Sequence, residues 1–409
     1  MPVAEAVSLV VLYMGAFLVP LTAGRVKIPA AVGEILFGVI VGPSLLGWIH
    51  HSEPTEFLAE LGFIFLMFLV GMEIDFNRIE RESLWTVCLA GAVAIMVLIS
   101  AVWVAHRMGY SVFMGLILGA MSVGILMVAL TEVGATDQRW GQLILLVGSI
   151  GEFLTLISLT GYDLIYAFGF GLELLIEGAK VASLFFVAYL VLSALRLVVW
   201  WFPKSFERWV DEEDPSEIGV RFGFVLMLSL SAIAAWAGIE AILGAFLAGI
   251  LFTYVFRETG VLETKLLALG QGFFVPIFFI NVGVSFNLGA LGNLGTAVET
   301  VALLAAASLA VKVVPSLLLL LAGLSARAAI AGSFLLATPL TLLVAAAALG
   351  LQIGVIDEPT SSAIVLLAIV TGVVFPTVFK ILCPPVEAPL EPQPKKRGLH
   401  DHIAKALST

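Results

Sequence analysis

Two charged residues lie in stretches that are otherwise apolar, and both can exchange a proton. Glu152 lies near the middle of 141–161, with no other charge among the nine residues on either side. Lys312 lies in the middle of 301–323. A carboxylate at the centre of a bilayer costs about 2.5–3.5 kcal/mol on insertion scales, so acids at that depth commonly mark a path for ions or protons. The two charges therefore predict a transporter.

The chemistry of a lone buried carboxyl group suits exchange. Removal from water favours the neutral form of a carboxylic acid, so such a group can hold a proton near neutral pH, and its ionised form can hold a cation instead. It cannot hold both, and that competition is sufficient for antiport. The alternative for Glu152 is a structural acid hydrogen-bonded between helices. The alternative for Lys312 is a stabilising ion pair, for which Glu152 is the expected partner.

Hydroxyl side chains at membrane depth are candidate oxygen ligands for a cation, together with carbonyl groups freed where helices are interrupted. The candidates are Ser122, Thr155, Thr338 and Thr341. The alternative for each is a hydrogen bond to a neighbouring helix. Glu73 and Asp75 come close to the end of an apolar run, and we interpret them as anchors or as charges at the rim of a cavity.

The composition is that of a membrane protein with many spans. Hydrophobic residues make up 61% of the 409 residues and charged residues 12%, against about 45–50% and about 25% in soluble proteins. The net charge of −10 argues against a nucleic-acid partner. We find no phosphate-binding loop, nucleophile elbow or metalloprotease motif, so we expect neither an enzyme nor a cofactor.

Apolar runs predict an all-α fold of about thirteen spans, numbered in chain order. Their predicted bounds are 4–24, 29–47, 56–74, 83–105, 111–132, 141–161, 176–201, 219–238, 241–256, 266–286, 297–322, 328–350 and 360–383. With the N-terminus outside, 17 of the 20 Lys and Arg residues fall on the inner side and only Arg107 and Lys180 on the outer side. Basic residues favour the cytoplasmic side. The pattern predicts an N-terminus outside, a C-terminus inside, and a bacterial or archaeal inner (cell) membrane as the location.

The two halves of the transmembrane domain, 1–383, resemble each other. Glu34-Ile-Leu-Phe-Gly38 recurs as Glu240-Ala-Ile-Leu-Gly244, seven spans later. An odd offset reverses direction across the membrane, which predicts inverted repeats of about 29–161 and 241–383. Segment 176–218 links them, and 384–409 is predicted to be a cytoplasmic tail. Gly119–Gly124 in span 5 and Pro339 in span 12 predict two interrupted helices, which in such repeats indicate a binding site.

Several motifs resemble the monovalent cation:proton antiporter-2 family, which includes Kef-type potassium and Nap-type sodium antiporters. The motifs are Pro29–Pro43, Glu60–Asp75, Gly244–Gly249 and Pro276–Gly283, and the likeness runs from about residue 10 to 383. The resemblance implies two broken helices that cross beside an ion-binding acid. It places Glu152 at the position of the family's key aspartate, Ser122 at the break in span 5, and Lys312 at a lysine that many members carry.

Three departures from that family pattern concern the site. Gly151 stands where members often have Asp, Asn or Gln, and Met121, Val123 and Gly124 flank Ser122 where members often have a threonine. The key acid is Glu rather than Asp. These departures leave open the stoichiometry and the choice between Na⁺ and K⁺.

Three functions remain open from the sequence. The first is exchange of protons for Na⁺ or K⁺ by alternating access in the lipid bilayer. The second is transport of another solute on the same fold, and the third is a membrane sensor or scaffold that no longer transports. The resemblance also implies a homodimer formed through spans 1–3 and 8–10, with spans 4–6 and 11–13 moving as a core.

Overall fold

A computed structural model describes residues 3–26, 28–49, 52–73, 82–136, 138–201, 216–238, 240–256, 260–289 and 294–384. Asp75 and the predicted tail beyond residue 384 lie outside these ranges. The described part of the chain has eleven helices that are long and apolar enough to cross a membrane, and two shorter apolar helices. Together they match the thirteen predicted spans, so the all-α membrane fold is confirmed.

The helices of the first half correspond to spans 1–7. They are α1 (Val3–Val26), α2 (Ala30–Val41), α3 (Glu53–Met72), α4 (Leu84–Arg107), α5 (Val112–Gly119), α6 (Gly124–Glu132), α7 (Arg139–Phe168) and α8 (Leu172–Trp201). Span 5 consists of α5 and α6, which are interrupted where the glycines predicted. Helix α2 is shorter than the predicted 29–47, because Gly42 adopts an extended conformation before Pro43, as residues before proline favour.

The helices of the second half correspond to spans 8–13. They are α9 (Ile218–Trp236), α10 (Ala241–Val255), α11 (Gly260–Leu269), α12 (Val275–Val284), α13 (Leu294–Ser316), α14 (Ala326–Leu336), α15 (Leu340–Gln352) and α16 (Glu358–Leu382). A π-helical turn, Gly270–Phe274, joins α11 to α12. Span 12 consists of α14 and α15, and the interruption lies at Pro339, which cannot donate a backbone hydrogen bond.

Most helix contacts fall within two groups. The scaffold group contains α1–α3 and α9–α12, and the core group contains α4–α7 and α13–α16. Helix α8 contacts α7 in the core group and both α9 and α10 in the scaffold group, and α2 contacts α16 directly. The expected division into spans 1–3 with 8–10 and spans 4–6 with 11–13 corresponds to these two groups.

Glycines allow the scaffold helices to approach backbone to backbone. A Cβ on Gly38 of α2 would overlap the carbonyl oxygen of Ile280 in α12, and a Cβ on Gly71 of α3 would overlap that of Phe246 in α10. Such contacts pack membrane helices closely without a large side chain between them. Within the scaffold group, α2 is therefore tightly packed against α12, and α3 against α10.

Candidate functional site

Glu152 is fully buried in α7 and its carboxylate contacts the interruption of span 5. The hydroxyl of Ser122 donates a hydrogen bond of 2.6 Å to Glu152 Oε1. The backbone N–H of Val123 donates one of 3.2 Å to Oε2. Both oxygens of the acid therefore have a donor, and both donors come from the four residues between α5 and α6.

The start of α6 explains why a carboxylate is favourable at this point. The first N–H groups of a helix have no partner inside the helix and carry a partial positive charge. No side chain at Val123 caps α6. Glu152 supplies the missing acceptor from another helix, so the acid compensates the N-terminal end of α6 and the interruption holds the acid in place.

The interruption of span 12 meets that of span 5. The hydroxyls of Ser122 and Thr341, the latter in the first turn of α15, lie 3.2 Å apart. Thr338 is buried next to Pro339, but its hydroxyl donates 2.5 Å to the carbonyl of Leu335 in its own chain segment. The structure thus brings Thr341 to the carboxylate through Ser122 and leaves Thr338 in a local bond.

Lys312 compensates the other half of span 5. It is fully buried in α13, and its Nζ donates 2.6 Å to the carbonyl of Leu118, in the last turn of α5, and 2.9 Å to the hydroxyl of Ser308. The expected ion pair with Glu152 is wrong, since these two described residues form none. The negative end of the α5 dipole binds the ammonium instead.

A second carboxylate faces the same region from the scaffold group. Glu73 follows the last residue of α3, and its Oε2 is buried without a hydrogen-bond partner among the described residues. A Cβ placed on Gly124 would lie 3.4 Å from Glu73 Oε1, so the acid lies at the start of α6. The interpretation of Glu73 as an anchor or a charge at the rim of a cavity stays a prediction.

Two of the departures from the family pattern touch each other. A Cβ placed on Gly151 would overlap Cε of Met121 and would lie 2.7 Å from its Sδ and 3.2 Å from its Cβ. Met121 is fully buried in the interruption of span 5. Met121 therefore fills the space beside position 151, where members of the family often have a polar side chain and this chain has glycine.

The remaining candidate, Thr155, is buried one turn after Glu152. Its hydroxyl donates 2.7 Å to the carbonyl of Gly151 in the same helix. It therefore makes no hydrogen bond to Glu152 in this structure. Sequence reasoning did not name the N–H of Val123 or Ser308, and it named Glu73 only as an anchor or rim charge. Only Glu73 left a usable signal, because it is an acid immediately after an apolar run.

The site offers hard oxygen ligands. Carboxylate, hydroxyl and carbonyl oxygens suit alkali and alkaline-earth cations rather than soft transition metals. In the described part of the chain, no group of three or more His, Cys, Asp and Glu side chains could hold a metal ion. The carboxylate and hydroxyl oxygens at the interruption of span 5 can hold a hard cation or a proton.

Comparison with known proteins places the chain in a transporter family. Residues 13–383 match the family model described as "Sodium/hydrogen exchanger, transmembrane". The protein YjbQ of Bacillus subtilis is 32% identical over 355 residues, which are 82% of this chain and 55% of that protein. The Na⁺/H⁺-K⁺ antiporter GerN of Bacillus cereus is 28% identical over 61% of this chain and 64% of its own length.

This chain therefore spans less than two thirds of the length of either relative. A solved structure, the sodium proton antiporter MjNhaP1 of Methanocaldococcus jannaschii at pH 8, has the same fold. Its TM-score is 0.64 at 16% identity, with 92% of this chain and 96% of that chain covered. The match over residues 13–383 confirms the resemblance found in the sequence motifs. The chain belongs to the sodium/hydrogen exchanger family of membrane transporters.

Proposed function

We propose that this protein is a secondary antiporter that exchanges protons for a monovalent cation, Na⁺ or K⁺, at Glu152. One observation carries the proposal. A fully buried carboxylate accepts hydrogen bonds from Ser122 and Val123 at the point where span 5 is interrupted. The names of GerN and MjNhaP1 as antiporters support the same function.

The geometry gives a physical reason for exchange rather than leak. With a proton on Glu152, or with a monovalent cation beside its ionised form, the acid has no net charge to desolvate. The bare carboxylate is costly to hold in an apolar environment. Movement across the membrane is therefore favoured only with one of the two ligands in place, which couples their fluxes.

Ser122 and Glu73 complete the proposed ion path. The Ser122 hydroxyl donates its one proton to Glu152 and accepts from Thr341, so one lone pair remains for a cation beside the acid. Glu73 Oε2, which has no partner among the described residues, faces the same helix start from α3. We assign Glu73 to the scaffold side of the path, where a negative charge attracts cations.

Alternating access follows from motion of the core group against the scaffold group. Glu152 and both interruptions belong to the core group, whereas Glu73 belongs to the scaffold group. Movement of the core would therefore carry Glu152 away from Glu73 and open the site to the other side. We propose a homodimer through the scaffold groups, in a bacterial or archaeal inner membrane, with the N-terminus outside.

Glu152→Gln tests the central proposal. The amide keeps the shape of the acid but neither titrates nor holds a cation, so exchange should fall to background. The measurement is Na⁺- or K⁺-evoked proton movement in proteoliposomes that contain only this protein. Asp163→Asn, on the same helix, is the matched control and should keep most of the exchange.

The outcomes separate the competing functions. Near-normal exchange by Glu152→Gln would contradict the mechanism. No cation-evoked proton movement by the unmodified protein would favour a sensor, a scaffold or a carrier of another solute. Folding of each variant is checked by its melting temperature, so that loss of exchange is not mistaken for loss of structure.

A disulfide between the two groups tests the proposed motion. A Cβ placed on Gly372 of α16 would lie 3.4 Å from Cγ2 of Val32 in α2, so these two positions are in contact across the boundary between the groups. With Cys88 and Cys383 changed to Ser, the pair Val32→Cys and Gly372→Cys should stop exchange when oxidised and restore it when reduced. Undiminished exchange in the fully oxidised protein would argue against a moving core.

A further inference from the structure

Met121 occupies space that any side chain at position 151 would need. Three of its atoms, Cε, Sδ and Cβ, are the nearest neighbours of a Cβ placed on Gly151. Although the thioether end is flexible, Met121 is fully buried and belongs to the same packed cluster as Leu126 and Val147. Packed interiors leave few voids into which such an end could swing. The fit between the bare glycine and the methionine is therefore specific.

The position of this contact matters because Gly151 precedes Glu152 in α7 and Met121 precedes Ser122 in the interruption. Met121 is thus next to the donor, and Gly151 next to the acceptor, of the 2.6 Å hydrogen bond from Ser122 to Glu152. A thioether is a soft ligand and a poor one for Na⁺ or K⁺. Met121 therefore occupies space that an oxygen ligand could otherwise take, and its own sulfur does not serve as a ligand for Na⁺ or K⁺.

We propose that Met121 is a specificity-determining residue, which fills the space over Gly151 and so restricts the α7 side of the cation site to the single carboxylate of Glu152. The proposal rests on the proposed function for its effect on transport, although the steric match can be measured without transport. Both residues belong to the core group, so the restriction would persist throughout the cycle.

A stability cycle tests the match without any charge. Gly151→Ala should lower the melting temperature of the purified protein, because overfilling a packed site is destabilising. The same change in a Met121→Ala background should cost clearly less, since of the three nearest atoms only Cβ of residue 121, at 3.2 Å, would remain. Gly161→Ala, on the same helix with no atom within 4 Å of the added Cβ, is the matched control and should cost nothing.

Additive effects of Gly151→Ala and Met121→Ala would overturn the matched pair, as would a Gly151→Ala variant as stable as Gly161→Ala. The cycle remains informative if the protein does not transport cations. Failure of the pair and failure of the proposed function are therefore distinguishable.

Transport tests the consequence for the cation. Gly151→Asp alone should reduce exchange by about tenfold or more, because the new side chain displaces Met121 from beside Ser122. Adding Met121→Ala should restore exchange and lower the half-saturating Na⁺ or K⁺ concentration at alkaline pH by about tenfold, since a second nearby carboxylate attracts the cation. Met114→Ala, also buried but in α5, should not rescue Gly151→Asp.

An equal loss of exchange in Gly151→Asp with and without Met121→Ala would overturn the proposal. An active double variant whose half-saturating cation concentration is unchanged would also overturn it. Rescue with a lowered concentration would establish Met121 as the residue that keeps the second ligand out.

Discussion

The two interrupted spans meet in the membrane but are stabilised in different ways. The interruption of span 5 is held by two ionisable side chains from other helices, Glu152 at the start of α6 and Lys312 at the end of α5. The interruption of span 12 is held by hydroxyls, with Thr338 donating to Leu335 and Thr341 lying against Ser122. The two interruptions thus differ in their partners. Ionisable side chains bind the helix ends at span 5, and hydroxyl groups lie at span 12.

This difference supports the proposal that a proton or cation binds at the interruption of span 5 rather than at that of span 12. Half-helix ends present partial charges of opposite sign, and a full charge compensates each more strongly than a hydroxyl does. On the proposed mechanism, a proton or cation changes the charge at the interruption of span 5, which Glu152 contacts from α7. The interruption of span 12 contributes one hydroxyl, that of Thr341, to the same place. We expect substitutions at span 5 to affect transport more than matched substitutions at span 12.

Lys312→Met should have the largest effect. It leaves the carbonyl of Leu118 without the ammonium, and an unpaired buried polar group costs about 1–3 kcal/mol. We expect a lower melting temperature and loss of exchange in proteoliposomes. Thr338→Val removes one neutral donor from span 12 and should cost less, about 0.5–1.5 kcal/mol. Equal losses would remove the distinction between the two interruptions.

Ser122→Ala should come next. The hydroxyl donates to a carboxylate, and hydrogen bonds to charged groups are worth about 1.5–3 kcal/mol, so the half-saturating cation concentration should rise by about ten- to a hundredfold. Ser333→Ala in α14 removes a buried hydroxyl that donates only to the carbonyl of Ala329, and it should leave that concentration unchanged. A normal concentration in Ser122→Ala would show that Ser122 is no ligand.

Thr341→Val should have a smaller effect on the same measurement. Its hydroxyl contacts Ser122 rather than Glu152, and a neutral hydrogen bond is worth about 0.5–1.5 kcal/mol, which corresponds to a change of about two- to tenfold. Thr341→Ser keeps the hydroxyl and should behave like the unmodified protein. A loss as large as that of Ser122→Ala would mean that both interruptions bind the cation equally.

Membrane potential should have the smallest effect. Glu152 is the only acid that we assign to the moving core side of the site, so one proton exchanges for one cation and no net charge moves. Lys312 is bound to α5 and is not paired with Glu152, so cation binding at Glu152 does not break an ion pair that would release a proton from the lysine. One uncompensated charge would contribute about 2.3 kcal/mol per 100 mV. A steep voltage dependence of the initial rate that is lost in Lys312→Gln would contradict electroneutral exchange.

Periodic and compositional signals predicted the spans well, because a bilayer demands long apolar helices whatever their neighbours are. The interruptions at Gly119–Gly124 and Pro339 were also predictable, since glycine and proline disfavour helix locally. The π-helical turn at Gly270–Phe274 was not predicted, because two glycines and Gln271 within a longer apolar run do not distinguish a π-helical turn from an α-helix.

Isolation in an apolar stretch was enough to predict that Glu152 and Lys312 are buried and to make them candidates, since a buried charge is costly wherever it lies. Their partners depended on the packing of helices far apart in the chain. Lys312 reaches α5 rather than Glu152, Glu73 approaches α6 from α3, and Met121 covers Gly151. These contacts join residues 30 to 194 positions apart. The cost of burying a charge is a property of the residue and its segment, whereas the group that offsets this cost depends on how the segments cross.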